Sequence, residues 1–444
     1  MSHVVVRSVP FSTRLSVGSA KELVARDKAR AQKLLAGVRP HGPLAFHEEH
    51  RQREHKRHDH HERREHRHEE AGSAARHHHH SGGSTGTGTG AGTGTGSSGT
   101  SPSSGGVGVD VTDAGVTYTA SVGVGSPATN YTLLIDTGSS NTWVGASAQY
   151  TQTSTSKSTG NTVNVSYGSG SFSGTEYTDT VTVGTGLTIQ NQSIGVASTA
   201  QGFQGVDGIL GIGPVDLTNS TVSNTTTVPT VTDNLYAQGT IPTESIGISY
   251  VPTTTNNAAN GELTFGNVDS TKYTGDITYT PITTTSPASN YWGINQDVTY
   301  GQNGTSLLSG NGGIVDTGTT LLLIATDAFQ KYQKATGATM DSTTGLLSIT
   351  EAQYNNLQSL YFTIGSTTFE FTPNAQIWPR SLNSTLGGES GKIYLVTSDL
   401  GSNSGQGLDF INGFAWLQRF YSVFDTTNKQ VGIANTQYTD ATTN

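Results

Sequence analysis

Two short segments of this chain place an aspartate where it could do acid–base chemistry. Asp136 follows Leu133-Leu134-Ile135 and precedes Thr137-Gly138-Ser139; Asp316 follows Gly313-Ile314-Val315 and precedes Thr317-Gly318-Thr319. In each, the apolar run reads as a buried strand that delivers a carboxyl group into a low-dielectric setting. The glycine lets the backbone turn sharply beneath it, and the hydroxyl of Ser139 or Thr319 lies within local reach of a carboxylate oxygen. Two such carboxylates brought together cannot both ionise near neutrality, so they share one proton. One then serves as base and the other as acid, and a water between them is deprotonated while a carbonyl is polarised. A single Asp-Thr-Gly is an ordinary turn at a strand end; two copies 180 residues apart argue for a pair.

The composition removes most competing chemistries. The chain of 444 residues has no cysteine, and its 14 histidines all fall between His3 and His80. Beyond residue 80 there is thus no Ser-His-Asp triad, no Cys-His pair and no HExxH zinc site. Charge is as uneven. Residues 1–80 hold 16 Lys+Arg against 10 Asp+Glu, a formal +6; the remainder holds 8 against 23, a formal −15. An acidic body with so few cations is a poor binder of nucleic acid, which needs Lys and Arg to neutralise phosphate.

The elements that must position the aspartates read as follows. Residues 1–80 form a basic, His-rich head with one helical segment, Lys21 to Gly37, in which Leu23, Val24, Ala31, Leu34 and Leu35 recur at helical spacing. Residues 81–106 are almost entirely Gly, Ser and Thr and read as a flexible linker. From Val107 onward, short alternating runs rich in Val, Ile, Thr and Tyr are separated by Gly, Asn, Asp and Ser clusters, the pattern of an all-β body. One helix is expected at Ala325 to Gly337. The two Asp-Thr-Gly segments are each followed by a second apolar-Gly run, Gly208 to Gly213 and Phe410 to Leu417. That two-fold echo suggests two related β lobes, expected at 107–284 and 285–444. Tyr167-Gly168-Ser169-Gly170 is a Gly-rich turn between alternating strands, suited to a mobile hairpin. The stretch Val4 to Val6 is too short for a secretory signal, and no apolar run is long enough for a membrane span.

The body resembles the pepsin-family aspartic endopeptidases, most closely their fungal polyporopepsin group. The resemblance rests on DTGSSNTWVG at Asp136, YGSGSFSGTEYTD at Tyr167, DGILGIGPVDLT at Asp207, YWGIN at Tyr291, GGIVDTGTT at Asp316 and RFYSVFDTTNKQVGIA at Arg419. It implies a bilobal pepsin-like acid protease fold with the active-site cleft between the lobes. It implies Asp136 and Asp316 as catalytic, with Ser139 and Thr319 bonded to their outer oxygens. Tyr167, Gly168 and Ser169 would lie on a flap over the substrate, Trp143 would support the Tyr167 hydroxyl, and Gly138, Gly318, Thr319 and Thr320 would contact substrate. No metal and no cofactor is implied. Expected partners are a protein or peptide substrate and pepstatin-type inhibitors, with a monomeric enzyme and no nucleic acid or membrane partner.

Departures from the family pattern carry their own expectations. Phe414 stands where an aspartate is frequent, and Asn412 where an apolar residue is usual. Ser169 replaces an acidic residue that in some fungal members accepts lysine beside the cut, so apolar or aromatic residues are expected there, with weak tolerance for lysine. The head is expected to be an inhibitory propeptide, its helix lying over the acidic cleft with a lysine paired to the dyad, Lys28 and Lys33 being candidates. The histidine-rich stretch is read as a solvated spacer before a metal site. Seven Asn-x-Ser/Thr sequons, at Asn130, Asn164, Asn191, Asn219, Asn224, Asn303 and Asn383, hint at glycosylation and at an extracellular or vacuolar protein. Two rival readings stay in view: a catalytically silent relative acting as a binding protein, and a His-rich metal-binding protein with a β carrier body.

Overall fold

The computed structural model describes residues 7–15, 19–37, 116–255 and 257–443. The linker and the histidine-rich stretch lie outside the described residues. The strands that matter for the site are, in chain order, β1 (Arg7–Leu15), β2 (Val116–Val124), β3 (Thr129–Asp136), β4 (Trp143–Val144), β5 (Lys157–Tyr167), β6 (Gly170–Gly184) and β7 (Leu187–Gln201). They continue with β8 (Gly208–Gly211), β9 (Ser245–Tyr250), β10 (Asn257–Phe265), β11 (Thr274–Pro281), β12 (Gly293–Tyr300), β13 (Thr305–Val315) and β14 (Leu322–Ile324). One helix of the head, α1, spans Ala20–Leu35.

The chain is mostly β and bilobal, as the sequence pattern led us to expect. A 13-stranded sheet contains β1 to β11 with Phe420–Asp425 and Gln430–Asn435. A 7-stranded sheet is built around β12, β13, β14 and Phe410–Asn412. Alternation along the strands explains the layering. In β3 Tyr131, Leu133 and Ile135 are buried on one face while Asn130 and Thr132 face out on the other; Asp136, at the end of that second face, is buried where the strand runs into the loop that meets its counterpart after β13.

The two aspartate loops are built alike. β3 runs parallel to β8, pairing Asp136 with Gly211, and Ile212 N–H donates to Asp136 O at 2.9 Å. β13 runs parallel to Phe410–Asn412, pairing Val315 with Asn412, and Asp316 N–H donates to Asn412 O at 3.2 Å. The echo in the sequence is therefore a repeated strand-loop-strand device. Asn412 is buried because Gln296 on β12 answers it: Asn412 Nδ2 donates to Gln296 Oε1 at 2.9 Å, and Gln296 Nε2 donates to Asn412 Oδ1 at 3.2 Å. Each side chain satisfies the other's amide, so a polar residue is tolerated beneath the dyad.

The head differs from expectation in one respect. Besides its helix it contributes β1, which pairs antiparallel with β10 from Arg7 to Arg14 and with β2 from Ser12 to Leu15. Val9 and Phe11 are buried, and the Phe11 ring meets Tyr118 and Tyr250 edge-on. The helix itself lies close to its expected place. Ser19 caps it, its Oγ accepting from Glu22 N–H at 3.2 Å while Glu22 Oε2 accepts from Ser19 N–H at 3.3 Å. Its buried face is Ala20, Leu23, Val24, Asp27, Ala31 and Leu34. The expected body helix is observed at Thr326–Thr336 and stops at Gly337, whose φ of 68° is left-handed.

Candidate active site

The two aspartates meet where the loops after β3 and β13 face each other. Thr137 N–H donates to Thr317 Oγ1 at 3.0 Å, and Thr317 N–H returns the bond to Thr137 Oγ1 at 2.9 Å. Both threonines are buried, so the loops are clamped in one relative position. The glycines make the approach possible. A Cβ on Gly138 would stand 2.6 Å from Asp316 Oδ1, and one on Gly318 would stand 2.7 Å from Asp136 Oδ1. Any side chain there would push the carboxylates apart.

Each carboxylate is held from its own loop. Ser139 Oγ donates to Asp136 Oδ2 at 2.6 Å, and Gly138 N–H donates to Oδ1 at 3.0 Å. Thr319 Oγ1 donates to Asp316 Oδ2 at 2.7 Å, and Gly318 N–H donates to Oδ1 at 3.1 Å. The two Oδ1 atoms converge on one point, which a guanidinium nitrogen occupies. Arg30 Nη2 lies 2.5 Å from Asp136 Oδ1 and 2.9 Å from Asp316 Oδ1, and Arg30 Nε lies 2.7 Å from Asp316 Oδ2. Burial pushes the Asp316 carboxyl up, but the Arg30 charge and hydrogen bonds, with those of Thr319 and Gly318, outweigh it and hold the group below its ordinary 3.8.

The residue that meets the dyad is thus neither lysine expected for it. Lys28 instead reaches Asp399, Nζ to Oδ2 at 3.1 Å, and Lys33 sits over the Tyr167 ring, 5.2 Å from its centroid. The physical reason is helical register. Arg30 lies between the buried Asp27 and Ala31 and points down, whereas positions 28 and 33 flank that stripe. Arginine also offers a planar fork: while Nη2 bridges the two Oδ1 atoms, Nε reaches Asp316 Oδ2, a second grip that a single ammonium does not supply. Asp27 is a second residue the sequence reading did not single out. Its Oδ2 accepts from Thr320 N–H at 3.0 Å and Leu321 N–H at 2.8 Å, and Arg26 Nη2 stands 3.7 Å from its other oxygen. Full burial raises its carboxyl to about 6, against the opposing pull of Arg26 and those two N–H groups.

The remaining residues of interest surround this pair. Tyr167 and Gly170 close the β5–β6 hairpin around Gly168 and Ser169. Trp143 Nε1 donates to Tyr167 OH at 3.0 Å; Trp143 stacks on Phe172 at 4.2 Å, and Phe203 meets both Trp143 and Tyr167 edge-on. A cavity beneath the hairpin is lined by Leu134, Asp136, Tyr167, Gly168, Ser169, Phe203, Ile209 and Gly318 together with Arg26 and Arg30 of α1. Thr320 is occupied by the head, its Oγ1 accepting from Arg26 Nη2 at 2.8 Å. Phe414 packs against Tyr118 and Tyr250, at 4.9 and 5.5 Å between centroids. Among the described residues, no group of three or more His, Asp or Glu is placed to hold a metal ion.

Comparison with known proteins agrees with this geometry. The model of the family described as eukaryotic aspartyl protease matches residues 117–436. The chain is 65% identical over 335 residues to polyporopepsin of Irpex lacteus, covering 75% of this chain and 98% of that protein. It is 31% identical over 335 residues to pepsin A of Bos taurus, covering 71% and 83% respectively. The crystal structure of the aspartic proteinase from Irpex lacteus superposes with a TM-score of 0.72 at 66% identity, covering 74% of this chain and 96% of that one. Two clamped carboxylates in paired β loops and this breadth of similarity lead to one assignment: the chain belongs to the eukaryotic aspartyl protease family, the aspartic endopeptidases.

Proposed function

We propose that the chain is the inactive precursor of an acid endopeptidase whose catalytic pair is Asp136 and Asp316. The observation that carries this reading is the convergence of both Oδ1 atoms on a single Arg30 nitrogen. A point within hydrogen-bond reach of both carboxylates is where an attacking water must sit. With α1 gone, the carboxylates no longer have a cation between them and share one proton. The ionised one takes a proton from water, which attacks the peptide carbon; the protonated one donates to the carbonyl oxygen. The tetrahedral diol then collapses as a proton passes to the leaving nitrogen. Ser139 and Thr319 hold the outer oxygens, leaving the inner ones free for this exchange. Tyr167, on a hairpin braced by Trp143, closes over the substrate and excludes water.

Substrate preference follows from the walls. Leu134, Tyr167, Phe203 and Ile209 line the space beside Asp136, which suits apolar or aromatic side chains at the cut. The precursor role follows from α1, which fills the catalytic point with Arg30 and covers Thr320 with Arg26 and Asp27. An acidic working environment, extracellular or vacuolar, fits a carboxylate pair and a carboxylate-rich body. Glycans are expected at exposed sequons such as Asn219 and Asn303. They are not expected at Asn383, which is buried with Nδ2 donating to Glu389 O at 3.0 Å and Lys392 O at 2.7 Å.

Casein digestion by the acid-treated chain, with and without pepstatin, tests the reading. Hydrolysis in acid that pepstatin abolishes is the expected result; hydrolysis that pepstatin leaves untouched would contradict a shared carboxylate pair.

A further inference from the structure

The head helix also shows which groups of the body accept charge, and Lys28 marks one outside the dyad. Lys28 Nζ lies 3.1 Å from Asp399 Oδ2, and four residues on, Gln32 Nε2 donates to Leu400 O at 3.3 Å. Asp399 ends the strand Thr397–Asp399, which pairs parallel with β14, placing Asp399 beside Ile324. β14 begins shortly after the Asp316 loop, so Asp399 is tied to the dyad by sheet hydrogen bonds.

Its carboxylate is also pre-set. Oδ1 accepts from Thr326 Oγ1 at 2.6 Å and from Gly401 N–H at 2.9 Å. That leaves Oδ2 to meet the Lys28 ammonium of α1. The side chain is 22% exposed with Lys28 in place, and no other ion pair of Asp399 occurs among the described residues. Burial pushes the carboxyl up, but the bonds from Thr326 and Gly401, with Lys28, outweigh it and keep the group below 3.8. The two body-derived bonds remain when the head departs, so the group stays charged in mild acid.

We propose that Asp399 is a specificity-determining residue of the mature enzyme, accepting the cationic side chain of a lysine or arginine in a protein substrate. This rests on the reading that α1 occupies the substrate cleft. It places cation selection away from the flap, where Ser169 offers no charge, so the lysine it recognises stands at a distance from the cut and not beside it. The pair is partly solvated, so the preference is modest, about two- to fivefold in kcat/KM.

The test uses the full chain after acid activation. Peptides with one apolar–aromatic cut carry Lys or Gln at one position at a time on either side of it, and kcat/KM is measured in low and high salt. One position should favour Lys over Gln about two- to fivefold, with the preference shrinking in high salt, and the Lys/Gln ratio there should fall to about one in Asp399→Asn. Absence of a Lys-preferring position in the unaltered enzyme, or a ratio unchanged in Asp399→Asn, would overturn the proposal. Absence of that preference in the unaltered enzyme overturns the proposal whether or not Asp399→Asn folds, and Asp399→Glu, which keeps the charge, should retain it. Failure to cleave any peptide would instead strike at the endopeptidase reading itself.

Discussion

Arg30 grips Asp316 with two nitrogens, Nε to Oδ2 at 2.7 Å and Nη2 to Oδ1 at 2.9 Å. Both side chains are nearly out of solvent, 13% and 0% exposed. Removing one member of a buried, hydrogen-bonded ion pair costs about 3–5 kcal/mol, because the other charge is left unpaired. Arg30→Gln should therefore loosen α1 and give the uncleaved chain proteolytic activity, roughly a hundredfold or more above the unaltered full chain. Arg30→Lys keeps the charge but loses the fork, and should fall between them. Peptide hydrolysis by full chain whose head cannot be cut away is the measurement.

The pH dependence of head release follows from two opposed groups. Asp316 is held below 3.8 in the docked state, so its contribution to docking is present above 3.8 and is lost as pH falls through the lowered value. Asp27 is raised to about 6, so its contribution is full below 3.8 and is lost as pH rises through about 6. The Asp27 contribution is complete by 3.8, and below that only the loss at Asp316 proceeds, so docking is firmest near 3.8. Conversion followed on gels should be slowest there and quicken as pH falls further. Asp27→Asn should flatten the upper limb while leaving the acid limb in place.

Glu176 on β6 is a separate liability. It is 3% exposed, one oxygen bonds Ser193 Oγ, and Oε2 has no hydrogen-bond partner among the described residues. Burial, against that single bond, raises its carboxyl from 4.5 to about 7. The sign is that of a raised acid: its favourable contribution is full below 4.5 and lost as pH rises through about 7. A shift of this size corresponds to roughly 3 kcal/mol at neutral pH. Glu176→Gln should raise the unfolding midpoint in urea at pH 7.5 and change it little at pH 4.

The Asn412–Gln296 pair predicts a non-additive cycle. Gln296→Leu or Asn412→Leu alone leaves a buried amide unpaired beneath Asp316, at a cost of about 1–3 kcal/mol each. The double variant removes both amides and should cost less than the two single changes combined. Chemical denaturation of all four proteins checks this.

The sequence disclosed the site where the signal was local and missed it where the signal depended on partners. Asp136 with Ser139, and Asp316 with Thr319, lie three residues apart in the chain, and their bonds close within a single turn. Arg30 was harder to see because α1 has several cations. The clue was present: Asp27 and Arg30 interrupt the apolar stripe of Leu23, Ala31 and Leu34, and a charge on a buried stripe needs a buried partner. Strand β1 was invisible for a different reason. It contains Pro10 and two arginines, which argue against a sheet interior. Its partners, β10 and β2, lie far along the chain, and β2 joins only from Ser12, beyond the proline. Asn412 looked anomalous until Gln296 on a neighbouring part of the sheet supplied its bonds.

The most direct test of the account is Asp316→Asn in the full chain, assayed for casein hydrolysis and for self-processing at about pH 3, where the unaltered chain sheds its head. A neutral amide cannot share the proton with Asp136. The variant should fold, with a near-ultraviolet circular dichroism spectrum like that of the unaltered protein, yet show neither casein hydrolysis nor self-processing above background. A folded Asp316→Asn protein that cleaves casein at the unaltered rate would contradict the carboxylate pair as the catalyst.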